Sequence, residues 1–124
     1  MSPRSERGSV SLVLVGGIAV TLVLAMGVAD LARVLVVRSR ARTAADAAAL
    51  AAAQELAVPT GADPGSLAAS YAEANGALLT ACACAPGGDM ADVEVRVDVG
   101  PLLLFADTQA VSARARAVVD LPSG

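Results

Sequence analysis

The chain has no histidine, no lysine and no tryptophan, and its aromatic residues are Tyr71 and Phe105. Without histidine, a histidine-based catalytic triad and histidine metal sites are excluded. So few aromatics, with an acidic distal part, also argue against nucleic acid, which needs a basic face with stacking rings. Two cysteines, Cys82 and Cys84, are too few for a disulfide scaffold or a structural zinc site. They stand open between free thiols and a disulfide. No glycine pattern cradles phosphate: Gly16-Gly17 lies in an apolar run, and Gly87-Gly88 leads into a strand. Asp92, Glu94 and Asp98 read as the solvated face of that strand. The sequence thus points to a non-enzyme with no cofactor, no metal and no small-molecule substrate.

What is present is apolar and small. Hydrophobic residues make up 56% of 124, much of it alanine. A core built from alanine is thin, and small domains are marginal in any case. The chain is therefore expected to lean on a membrane or a partner. Its net charge of −3 is segregated. The first eight residues carry Arg4, Arg7 and Glu6. A neck carries Arg33, Arg38, Arg40 and Arg42 with Asp30. Residues 43–124 carry ten acids against Arg96, Arg114 and Arg116.

Residues 8–29, GSVSLVLVGGIAVTLVLAMGVA, contain no charge. At ~1.5 Å per residue this run spans about 33 Å, enough for the roughly 30 Å hydrocarbon core. It exceeds the length of a signal-peptide apolar region, so a retained anchor is favoured over cleavage near Ala29. The helical pattern does not stop at Asp30. No proline occurs before Pro59 within it, and residues 31–56 are rich in Ala, Leu and Arg. One helix is predicted from about Val10 to about Leu56. Asp30 and Arg33, and Arg42 and Asp46, share faces of it. Two rows of small residues run along it at spacing four: Gly17, Thr21, Ala25 and Ala29, then Ala41, Ala45, Ala49 and Ala53. Such rows let helix backbones approach closely, so both are candidate packing faces.

Pro59, Gly61 and Pro64 end this helix, and Asp63 is placed to cap a second one. Leu67, Tyr71, Ala74 and Leu78 read as its buried face, with the helix fading near Ala81. DVEVRVDV (residues 92–99) and AVSARARAVVD (residues 110–120) alternate strictly and predict two antiparallel strands. That pairing sets Arg114 and Arg116 opposite the acids of the first strand. Leu50 and Leu56 are the expected contacts between the long helix and the strands, and LLLF (residues 102–105) is expected to plug the core beneath them. The predicted fold class is α+β: a long N-terminal helix, first transmembrane and then a projecting spine, with a small head of one short helix and a two-stranded antiparallel sheet. The divisions are a leader (1–8), a transmembrane segment (9–29), a projecting helix (30–58) and an αββ head (59–124).

Two stretches carry a resemblance. ERGSVSLVLVGGIAV (residues 6–20) puts Arg-Gly before an apolar helix. DLARVLVVRSRARTAADAAALAAA (residues 30–53) gives Asp-Leu-small-Arg, an arginine-rich turn and then AADAAAL. This pattern resembles the bacterial TadE/TadG-like proteins of tight-adherence (Flp-type) pilus systems, most of all the short TadE-like ones encoded beside secretion ATPases. The resemblance implies a pilin-like fold and a minor pilin-like, or pseudopilin, component of a pilus or secretion apparatus. Its partners would be other pilin-like or secretion-apparatus proteins and the lipid bilayer. It would be single-pass in the cytoplasmic membrane with a cytoplasmic N-terminus. Some such proteins are cut by a prepilin peptidase after a glycine that precedes the apolar segment; here that glycine would be Gly8, with Ser9 the new N-terminus, and an uncleaved assembly factor, as in TadG-like proteins, is the alternative. The fifth mature position, a glutamate in most pilins, is here Val13. The four neck arginines taken alone favour the head inside the cell. In this family the arginine-rich neck is part of the pattern, and the head is expected outside. A single-pass adaptor or a secreted protein whose head binds a protein partner is the alternative.

Overall fold

A computed structural model of the chain describes residues 3–104 and 109–120, with side chains from Arg7 onward. The first element, α1, runs unbroken over Pro3–Ala57. Its 55 residues make a rod of about 83 Å at the α-helical rise. Good helix formers and the absence of internal proline sustain it. Val58 still donates to the Gln54 carbonyl at 2.9 Å before Pro59 stops the helix.

The second helix, α2, covers Pro64–Ala74. Asp63 caps it as its position predicts: one carboxylate oxygen accepts from the Ser66 backbone N–H at 3.0 Å and from its hydroxyl at 2.9 Å. Its far end differs from the expected fade near Ala81. Gly76 sits at φ +76°, the left-handed region that glycine tolerates. Ala77 donates to the Ala72 carbonyl and Gly76 to the Glu73 carbonyl, both at 2.9 Å. This pair of bonds closes the last turn and turns the chain away.

The chain released there forms a strand that the sequence reading assigned to helix. Strand β1 covers Leu78–Ala83, β2 Met90–Gly100 and β3 Gln109–Val118. The sheet is antiparallel with order β1-β2-β3, so it has three strands and not two. β2 is its centre and not an edge. A register shift between Leu79 and Ala81 marks a bulge in β1. Thr80 sits there, and its hydroxyl donates to the Glu94 carbonyl at 3.1 Å.

The expected pairing of β2 with β3 is present. Glu94 lies opposite Arg114 and Asp92 opposite Arg116. The ion pairs close at 2.6 and 2.8 Å. The opposite face of β2 buries Ala91, Val93, Val95, Val97 and Val99. β3 adds half-buried Val111, Ala113, Ala115 and Ala117, and Val119 continues the row just past its end. This valine face lies on the distal half of α1, and α2 packs on the same helix.

The core is alanine against valine. Ala41, Ala44, Ala45, Ala48 and Ala52 have no exposed surface. Small side chains bring the backbones close, so contact comes from proximity and not from long side chains. The same logic corrects the face of α2. Pro64, Ala68 and Ala72 are buried, whereas Leu67 is half-buried and Tyr71 and Leu78 are exposed. A large side chain would hold α2 off the alanine surface, so its large residues ride the rim. Leu56 enters the core as expected, but Leu50 is 56% exposed and does not.

Candidate functional site

Two halves of one helix have opposite fates. From residue 7 to residue 26 every side chain of α1 is exposed. Val10, Leu12, Val13, Leu14, Val15, Ile18, Val20, Leu22, Val23 and Leu24 each show more than half of their surface. Burying each would release about 1.5–3 kcal/mol. Summed over the run, that is as large as the roughly 5–15 kcal/mol that holds a whole domain together. This half of the helix therefore belongs in lipid or against a partner, and α1 is long and apolar enough to cross a membrane. Gly17, Thr21, Ala25 and Ala29 lie on its open surface. A Cβ added at Gly17 would meet nothing within 4 Å. The Thr21 hydroxyl donates to the Gly17 carbonyl at 2.8 Å, so its one hydrogen needs no water.

The distal row is covered. Ala41, Ala45, Ala49 and Ala53 are exposed by only 0%, 0%, 2% and 6%. Their own head seals them, so no bare alanine row remains there for a neighbouring helix. Gly8 and Ser9 lie within α1, exposed at its proximal end. Cys82, half-buried at the end of β1, and buried Cys84 form a disulfide with Cα atoms 5.4 Å apart. Arg42 and Asp46 share a face but are not among the ion pairs of the described residues.

Sequence reasoning missed two buried carboxylates. Asp30, 5% exposed in the middle of α1, reaches across to the β2–β3 connection. One oxygen accepts the Leu103 N–H at 2.7 Å and the other the Leu104 N–H at 2.8 Å. One turn further on, Arg33 donates from Nη1 to the Pro101 carbonyl at 2.7 Å. Leu102 is half-buried against the core, while Leu103 is 64% and Leu104 43% exposed. Among the described residues, the expected plug is thus made by Leu102 alone; Phe105 lies outside the described residues.

Glu55 is the second carboxylate, 6% exposed near the end of α1. It holds the α1–α2 connection. It accepts from the Thr60 hydroxyl at 2.8 Å and from the backbone N–H groups of Thr60, Gly61 and Ala62 at 2.7–3.1 Å. The Thr60 side chain first, then these backbone donors, lower its pKa against the opposing effect of burial.

A single long helix, bare in its proximal half and roofed distally by a small αβ head, defines a membrane-associated protein of spine-and-head type. Residues 8–55 match the model of the family described as "Putative Flp pilus-assembly TadE/G-like". The matched segment contains both small-residue rows and Asp30, Arg33 and Glu55, and it stops within α1. The TadE/TadG-like resemblance read from the sequence stands over that segment. Neither a search of curated proteins nor one of solved structures found a match.

Proposed function

We propose that the protein is a minor pilin-like, non-enzymatic structural component of a bacterial Flp-type pilus or secretion apparatus. It spans the cytoplasmic membrane once through residues 9–29. Residues 1–8 form a cytoplasmic leader, and the head faces outward on the projecting helix of residues 30–58. The observation that carries this reading is the division of α1. The family-matched helix seals its distal half with its own head and leaves its proximal half bare.

The role of meeting other helical subunits falls to the proximal row, Gly17, Thr21, Ala25 and Ala29. In lipid no hydrophobic force drives helices together, and close backbone approach along small residues takes its place. Gly17→Leu with Ala25→Leu should abolish co-purification with other pilin-like proteins while the chain still fractionates with membranes. Retained co-purification would remove the packing role from this row.

Mass measurement of the mature chain tests the processing step. A start at Ser9 supports prepilin-peptidase cleavage after Gly8, and an intact terminus supports an uncleaved assembly factor. A start at Asp30 would mean a secreted protein and would overturn the anchor.

A further inference from the structure

The loop that Asp30 holds lies at one particular height on the helix. Leu104 Cδ1 is 3.6 Å from where a Cβ of Gly27 would stand. Gly27 is two residues before the end of the charge-free run, hence within about 3 Å of its edge along the axis. Leu103 and Leu104 therefore sit at the level where α1 leaves the hydrocarbon. Val28 and Leu31, exposed by 68% and 59%, continue the same apolar surface on the helix.

We propose that the first part of the β2–β3 connection, residues 101–104, is a second membrane contact. It presses Leu103 and Leu104 into the boundary between headgroups and acyl chains, and Asp30 and Arg33 clamp it against α1. This rests on the reading that residues 9–29 span the bilayer.

Three features favour lipid over water or protein as the occupant. The loop is continuous with the surface of the anchor. It offers leucines at the height where an interfacial element would bury its apolar side ~5–10 Å deep. Its backbone is also prepared for a place poor in water. The Leu103 and Leu104 N–H groups go to Asp30 and the Pro101 carbonyl to Arg33. Where water is scarce an unsatisfied backbone group is costly. In water the solvent would serve these groups without help. The Asp-Leu-small-Arg element thereby acquires a physical role, because its acid and its base hold one loop from two sides. Two contacts, the helix and the loop, would fix the tilt of the head over the membrane, which one helix alone leaves free.

The chain lacks tryptophan, so one introduced indole reports on one place. Full-length Leu103→Trp, Val20→Trp and Val118→Trp are reconstituted in phosphatidylethanolamine–phosphatidylglycerol vesicles, with and without bromine on the acyl chains. Leu103, Val20 and Val118 are all exposed by more than half, so each site accepts the larger ring. Val118 pairs with Met90 at the far end of β2, some 30 Å along the strands from the loop. Bromine should remove most of the emission of Leu103→Trp and Val20→Trp and leave that of Val118→Trp unchanged. Adding Asp30→Ala to Leu103→Trp should restore much of the lost emission by releasing the loop.

Unquenched Leu103→Trp beside quenched Val20→Trp would overturn the loop contact and leave the spanning helix standing. A blue-shifted but unquenched Leu103→Trp would do the same, showing protein as the cover. Unquenched Val20→Trp would overturn the spanning reading and the loop contact with it. Unchanged quenching after Asp30→Ala would overturn the clamp.

Discussion

Asp30 and Glu55 are carboxylates on the face of α1 that folds inward, where an acid is costly unless its oxygens are used. Both spend their acceptor capacity on backbone N–H groups of a loop. Glu55 has the fuller set, with four donors around one carboxylate. Its lowered pKa links the α1–α2 connection to pH. The folded state binds the proton less readily than the unfolded chain does. The stability Glu55 contributes is therefore complete above the ordinary glutamate value of 4.5 and is lost as pH falls through the lower folded value. Thermal unfolding of the chain in detergent should show a falling midpoint below that pH. Glu55→Gln should have a lower midpoint at neutral pH and lose this part of the acid slope. An identical acid slope in the variant would remove Glu55 as its source.

At the scale of elements, the alanine rows decide how α1, α2 and the sheet meet. Ala45 and Ala49, at 0% and 2% exposure, sit where helix and head surfaces touch. Ala45→Leu or Ala49→Leu inserts a side chain with nowhere to go, at a cost of about 1–3 kcal/mol each. The expected result is a lower melting temperature and faster proteolysis of the head, with membrane fractionation unchanged. A head as protease-resistant as the unaltered one would show that the alanine contact is slack. β2 and β3 were legible in the sequence because strict alternation of valine or alanine with charge fits only a half-buried strand. β1 was not. LLTACA alternates poorly, and its first leucine prolongs a helical spacing from Leu67 and Tyr71. The deciding signal was Asn75-Gly76, a helix stop that the apolar spacing obscured. The roles of Asp30 and Glu55 were hidden for a different reason. Asp30 bonds to a loop 73 residues away, and local spacing carries no information about such a partner. The alanine rows were legible as packing faces, but what covers each depended on where the head folds back.

At the scale of the molecule, spine and head are one folding unit. Among the described residues, α1 supplies as much of the buried cluster as all other elements together. Without it the valine face of the sheet lacks an opposite wall, and the core left to a three-stranded sheet and one short helix is too small to be more than marginal. Residues 59–124 alone should therefore be unfolded, with a circular dichroism spectrum lacking helix and strand. Residues 30–124 should fold cooperatively, because they retain Val37, Leu56 and the buried alanines between them. The difference sets the order of assembly in the cell. The head cannot form until the projecting helix is available, and the helix in turn stays an open alanine surface until the head closes on it. A folded 59–124 fragment would break this dependence. The head would then be an independent module, and the alanine row would be left free for another chain.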